Sequence, residues 1–274
     1  MRKNLTIFSI PKGFDDPHIA RIQKNAIASW VAIPGAEIFL VGNDPGVAET
    51  AKAFECAHVP DVNVSEYNTP LLDSAFDIVH KRAQAPWVMY INADIILPSD
   101  FSELLPRLPK EALLAVSQRT DINLLPEEHA LDEMHRTALF ERTKRDGVLH
   151  SVQGIDYFLF RRGVYPKLPP FAIGRGAFDC WILRAARKSG MKLVDMTAVV
   201  TIVHQNHPEN FGQGGTVGKK SPEALKRNLS YMKNRAWYYT IADANWRLTP
   251  GGLKFNFFHW LPLVKRYIKI LTHA

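Results

Sequence analysis

The chain is 274 residues long, 46% hydrophobic and 22% charged, with a formal net charge of +7. That balance excludes disordered, collagen-like and disulfide-framework classes, and it gives one large α/β domain ample apolar material for a core. Two cysteines, Cys56 and Cys180, predict a reducing, cytoplasmic setting. No apolar run approaches the roughly 18 residues that span a bilayer, and the basic start Met1-Arg2-Lys3-Asn4 leads into a strand without a secretory apolar stretch.

The charge is unevenly placed. Residues 219–274 hold 11 Lys and Arg against Glu223 and Asp243, whereas residues 1–218 carry 23 basic and 25 acidic groups. A basic tail suits a phosphate-bearing ligand, an anionic lipid surface or nucleic acid. The sequence shows no RNP pattern, zinc knuckle or helix-turn-helix signal, so nucleic acid is not an expected partner.

In chain order, residues 5–10 are apolar and β-prone, and 16–31 have helical spacing after an Asp/Pro opening. Residues 38–41 form a short apolar run ending at the turn cluster Gly42-Asn43-Asp44-Pro45-Gly46, and a weaker helix follows to about Phe54. Leu71, Leu72, Ala75, Phe76, Ile78, Val79 and Ala83 mark one helix face. Residues 87–91 are apolar on both faces, as in the middle of a parallel sheet. Further on, 113–116 read as a strand, 126–145 as helix-prone, 157–160 as a strand, and a helix containing Phe178 and Trp181 ends near Gly190. Strands over 192–196 and 198–203 follow, then a four-glycine loop at 212–218 and a helix opened by Ser221-Pro222-Glu223. This alternation predicts a doubly wound sheet with ligands beyond the carboxyl ends of its strands.

Three polar clusters interrupt the apolar pattern. Asn92-Ala93-Asp94 follows the strand at 87–91. A carboxylate there must hold a cation, accept hydrogen bonds or face a solvated cleft, because burying it unpaired costs several kcal/mol. Mn2+ or Mg2+ takes such an oxygen donor, and capping of the next turn is the structural alternative. Asp179 opens a helix after a glycine-rich loop, where it serves as a proton acceptor or as a cap. His204 and His207 end the last strand; their spacing is not a standard zinc pair, and one of them can ligate a metal. A metal carboxylate, a basic carboxylate and an imidazole at one end of a sheet suit transfer of a group off a diphosphate.

With these pieces in place the sequence resembles GT-A glycosyltransferases of the family-2-like group. The resemblance covers about residues 4–210 and rests on Asn68-Thr69-Pro70-Leu71-Leu72-Asp73, Tyr90-Ile91-Asn92-Ala93-Asp94, Gly154-Ile155-Asp156-Tyr157-Phe158, the 174–181 segment and His204-Gln205-Asn206-His207. It implies a GT-A fold, that is, a Rossmann-like doubly wound mixed sheet with a basic helical C-terminal extension. Residues 1–218 would form the catalytic domain, its nucleotide-sugar half about 1–97 and its acceptor half about 98–218, and 219–274 the extension. It also implies an inverting sugar transfer from a nucleotide-diphosphate donor, a UDP-sugar, to a glycan or lipid-linked acceptor.

The implied roles fall residue by residue. Asp94 and His204 hold Mn2+ or Mg2+, with Asn92 replacing the first acid of the family's Asp-x-Asp motif as a ribose contact. Asp179 is the general base. Asp44 reads the nucleobase, with Pro11 and Thr69 in the same pocket. Lys219 and Lys220, behind the glycine loop, face the diphosphate. The same resemblance leaves a sugar-1-phosphate nucleotidyltransferase as an alternative, although Ser9-Ile10-Pro11-Lys12-Gly13 is a poor phosphate loop, and a non-catalytic sugar- or lipid-binding protein as another. Residues 253–271 mix aromatic, aliphatic and basic side chains without an acid, which suits either the headgroup layer of an anionic membrane on its cytoplasmic face or docking on the core.

Overall fold

The structure, a computed structural model, describes residues 3–125, 128, 132–207, 222–232 and 238–272. Strand and helix alternate from the start, as β1 (Leu5–Ser9), α1 (Pro17–Val31), β2 (Ala36–Val41), α2 (Val47–Ala53), β3 (Ala57–Val59), α3 (Leu72–Arg82) and β4 (Trp87–Ile91). The short β5 (Ile95–Ile96) and a 3-10 turn precede β6 (Leu113–Val116), β7 (Arg119–Ile122), α4 (Glu133–Asp146), β8 (Val148–Leu149) and β9 (Tyr157–Arg161). Then come α5 (Phe178–Lys188), β10 (Lys192–Asp195), β11 (Ile202–Gln205), α6 (Pro222–Ser230), β12 (Trp246–Thr249), β13 (Gly252–Phe255) and α7 (Leu261–Thr272).

Local chemistry sets several of these boundaries. The Asp16 carboxylate accepts from the backbone N–H groups of His18 and Ile19, and Pro17 occupies a first-turn position that needs no N–H, so α1 starts there. Every residue of β1 and β4 is buried, which a strand covered on both sides requires. The main sheet runs β13-β12-β10-β6-β9-β4-β1-β2-β3. Its pairs are parallel except at β9, which is antiparallel to β4 and β6, and at the β12–β13 hairpin.

Side chains alternate between the two faces of this sheet. Phe8, Val88, Tyr90, Phe158 and Phe160 pack with Phe76 and Val79 of α3 and with Ile182 and Leu183 of α5. Leu5, Ile7, Met89, Ile91 and Leu159 pack with Ala26, Ile27 and Trp30 of α1 and Val47 and Ala51 of α2. Helices therefore cover both faces, and the expected doubly wound mixed sheet is what forms.

A second sheet, β5-β11-β7-β8, stands at the carboxyl end of β4. The strand expected over 198–203 forms at β11 instead. Residues 196–200 make a turn, with the Val199 and Val200 N–H groups bonded to the Met196 carbonyl, and the Thr197 hydroxyl tied to Asp195. The helix expected over 126–145 begins at Glu133, where Asp132 caps it. The stretch read as an extension supplies β12 and β13, which continue the main sheet beside β10. Among the described residues, no helix is long and apolar enough to cross a membrane. The four-glycine loop at 212–218 and Lys219 and Lys220 lie outside the described residues.

Candidate active site

The carboxyl ends of β1, β2 and β4 open on one cleft. Pro11 and Lys12 follow β1, Asp44 follows β2, and Asn92 and Asp94 follow β4; Thr69, Arg175, Phe178 and His207 complete much of the wall. Thr69 is held by a turn at Ser65, whose hydroxyl accepts the Thr69 N–H, with Asn68 in the left-handed region at φ 55°. Burial, reinforced by the nearby Asp15 charge, raises the pKa of the Asp44 carboxyl.

Asp94 sits in the turn between β4 and β5. The indole N–H of Trp30 donates to the Ile95 carbonyl at 2.9 Å, and the Leu97 N–H donates to the Ser29 hydroxyl at 3.1 Å. These contacts pin β5 to α1. In the small sheet Ile95 pairs with His204, and His204 pairs with Asp121. The register sets His204 and Asp121 opposite each other, and Asp94 stands one residue before His204's partner Ile95, within reach of its ring. Alternation sends the next side chain, Gln205, the other way, where it bonds the Ile22 carbonyl and the buried amide of Asn25 on α1.

His204 Nε2 lies 3.6 Å and His207 Nε2 3.3 Å from Asp94 Oδ2. The other oxygen, Asp94 Oδ1, is buried and has no hydrogen-bond partner among the described residues. Burial acts to raise the Asp94 pKa, but hydrogen bonds and positive charge from the two imidazoles outweigh it and hold the carboxyl well below the usual range. The three ligand atoms fall within 4.8 Å of one another. Two imidazole nitrogens and a carboxylate with an unpartnered oxygen match the donor set of a divalent metal such as Mn2+, so these residues fit the ion that the sequence suggests.

A polar network extends from this centre. His204 Nδ1 is 3.0 Å from Asp121 Oδ1, and His150 Nδ1 is 2.6 Å from Asp121 Oδ2. Arg119 donates from Nε to Asp121 at 2.9 Å and from a terminal nitrogen to Asp156 at 3.1 Å. Asp156 in turn accepts from the Asn92 amide at 2.9 Å, and the Asn92 oxygen accepts from the Tyr90 hydroxyl at 3.1 Å. Burial raises the Asp156 pKa and the Asp94 charge adds to that, while Arg119 works against both.

Asn92, where the resemblance expects an acid, is therefore a linker between the cleft and a buried carboxylate. Gly154, which precedes that carboxylate, has a physical reason too. A Cβ there would meet the His150 ring at 2.4 Å.

Asp179 stands in the first turn of α5, next to Phe178, but neither it nor His204 is part of the cleft lining. Its Oδ1 accepts the Cys180 N–H at 2.8 Å. Burial raises its carboxyl pKa, and the backbone donors at the helix start offset only part of that. Sequence reasoning assigned no role to Arg119, Asp121, His150, Asp156 or Arg175. Arg175 borders the cleft with a buried Nε that has no hydrogen-bond partner among the described residues. Its place in a Gly-Arg-Gly turn was the available signal.

No protein-family model matches the chain, nor does any curated protein sequence. Solved structures do. The 1–349 fragment of S. aureus TarS in complex with UDP-GlcNAc aligns with a TM-score of 0.50 at 10% identity, over 83% of this chain and 65% of that fragment. This chain thus spans less than two thirds of it. Glucosyl-3-phosphoglycerate synthase from Mycobacterium tuberculosis, in complex with Mn2+, UDP and phosphoglyceric acid, aligns with a TM-score of 0.48 at 16% identity, over 83% of this chain and 78% of that one. CMP:2-keto-3-deoxy-manno-octonic acid synthetase complexed with CTP aligns with a TM-score of 0.40 at 14% identity, over 85% and 98%. At these identities the likeness is one of fold. The chain has a GT-A-like α/β fold, as the sequence led us to expect.

Proposed function

We propose that the chain is a metal-dependent glycosyltransferase that moves a sugar, with inversion, from a UDP-sugar to a hydroxyl of a glycan or lipid-linked acceptor. The observation that carries this reading is the convergence of Asp94, His204 and His207 at the carboxyl end of β4, beside a cleft also walled by Pro11, Asp44 and Thr69. The shared fold with TarS bound to UDP-GlcNAc supports the donor class.

Asp94 and the two imidazoles would hold Mn2+ or Mg2+, which when bound supplies positive charge to the departing nucleoside diphosphate. Arg175 adds a cation on the same wall. Asp44, Thr69 and Pro11 take the nucleoside, and Asn92, fixed by Asp156, meets the ribose. Asp179 removes the proton from the acceptor hydroxyl, and its raised pKa makes it a stronger base than an exposed carboxylate. The acceptor oxygen then bonds to the anomeric carbon from the face opposite the diphosphate. The carbon–oxygen bond to UDP breaks, and UDP leaves with the electron pair.

The same reading assigns α7 and the residues before it to the cytoplasmic surface of an anionic membrane. Leu261, Val264, Ile268 and Leu271 recur at helical spacing and are exposed, and Phe257, Phe258 and Trp260 precede them in solvent. Lys254 and Lys265 supply exposed positive charge nearby.

The test is a screen for nucleoside diphosphate release over a panel of nucleotide sugars with Mn2+. Acceptor-dependent UDP release is expected from wild type, and none from Asp94→Ala or Asp179→Ala, while Asp179→Ala still binds UDP. Pyrophosphate in place of UDP would overturn the proposal in favour of nucleotidyl transfer.

A further inference from the structure

His204 is 8% exposed, and a buried imidazole that gives one nitrogen to a metal needs an acceptor for the proton on the other. Among the described residues no hydrogen bond satisfies its Nδ1, yet Asp121 Oδ1 stands 3.0 Å away, close enough for a small turn of the ring to complete the contact. Asp121 is itself immobilised. Arg119 Nε takes Oδ1 at 2.9 Å, and His150 Nδ1 meets Oδ2 at 2.6 Å. The pairing of β7 with β11 sets Asp121 and His204 opposite each other, so backbone register fixes the relation before side chains adjust.

We infer that Asp121 is a positioning residue for the metal centre: it holds His204 in the tautomer whose Nε2 is free toward Asp94 and strengthens that nitrogen as a donor. The inference rests on the metal reading above. Asp121 contributes no ligand atom; its oxygens are turned to His204, Arg119 and His150. An imidazole made a better donor favours a transition ion such as Mn2+ over the oxygen-seeking Mg2+. Asp121 therefore acts on metal preference as well as affinity.

The experiment titrates the protein with Mn2+ alone, following the paramagnetic resonance signal of the free ion, and repeats the titration with Mg2+ as competitor. Asp121→Asn should weaken Mn2+ binding by about 10- to 100-fold and Mg2+ binding less. In a His204→Ala background the same substitution should have no further effect, because the two residues act as one unit. Equal loss in that background would mean a general disturbance of the fold and would overturn the inference, as would Mn2+ binding by Asp121→Asn that matches wild type. Nitrogen NMR of the metal-free wild type at alkaline pH gives an answer that needs no variant: His204 protonated on Nδ1 is expected, and a proton on Nε2 overturns it. A wild-type chain that binds no Mn2+ sinks the metal reading itself; one that binds Mn2+ with Asp121→Asn unchanged sinks only the role of Asp121.

Discussion

The unpartnered Asp94 Oδ1 is the most telling single atom in the molecule. A buried carboxylate oxygen without a partner costs stability, commonly one to several kcal/mol, and a bound cation removes that cost. Mn2+ at about 100 times its dissociation constant should therefore stabilise the fold by about 2.7 kcal/mol, read as a rise in melting temperature. In Asp94→Asn the rise should vanish, while the variant without metal should melt near wild type or above it. A Mn2+-induced rise that persists in Asp94→Asn would place the ion elsewhere.

His80 gives a prediction of a different kind. It is 8% exposed, packs at a tilt against the Tyr165 ring with centroids 4.1 Å apart, and accepts the Gly163 N–H on Nδ1 at 3.0 Å, so the fold holds it neutral. Burial lowers its pKa to about 4 from the ordinary 6.5, with Asp77 pulling the other way. The unfolded chain thus binds this proton first as pH falls. The stability is intact above about pH 6.5 and is lost progressively toward pH 4. Urea midpoints at pH 7.5 and pH 5 should show that loss in wild type, and His80→Gln should flatten it. An unchanged slope in the variant would assign the pH dependence to another group.

At the scale of elements, the small β5-β11-β7-β8 sheet assembles the centre, and it was the part least legible in the sequence. β1, α1, β4 and β6 could be read within a residue or two, because each carries a full period of buried apolar side chains or an explicit cap. β5 and β8 are two residues each, too short to show alternation. β7 runs Arg-Thr-Asp-Ile, and its charged residues Arg119 and Asp121 are paired with each other and with His150 and Asp156, not with the core. Asp94 could be singled out because it breaks an apolar run. Asp121 could not, since its worth depends on partners at positions 150 and 204 that only the sheet register brings near. The anchoring of β5 leads to a further expectation. Trp30→Phe leaves the Ile95 carbonyl without the indole donor, at a cost of about 1–3 kcal/mol in denaturant unfolding, and should weaken Mn2+ binding as well. Lost stability with unaltered Mn2+ affinity would show that the Asp94 turn holds its shape without α1.

Across the whole molecule, the cleft and the exposed apolar ridge draw on different parts of the chain. The cleft takes most of its wall from residues 10–94 and the rest from 173–178 and His207, while an exposed apolar ridge runs along α7 and the residues just before it. Because Phe258 is 68% and Ile268 55% exposed, Phe258→Glu with Ile268→Glu should leave the melting temperature within a degree or two of wild type. The pair should abolish sedimentation with anionic vesicles. Vesicle binding that survives both changes would remove the membrane from the proposal without touching the cleft. Arg266 of α7 is spoken for: it bonds Asp243, which is 2% exposed, and so ties the helix to the body.

The central position of β11 in the small sheet bears on how the protein is made. β5 and β7 do not pair with each other; each pairs with β11, which the ribosome delivers only after α4, β9, α5 and β10. Until then β5 and β7 each present an edge that lacks its β11 partner, and Asp94 is without His204 and His207, the two imidazoles grouped with it. If the proposed metal centre holds, a translation product truncated before β11 is expected to bind no Mn2+ there and to leave open strand edges for a chaperone to cover.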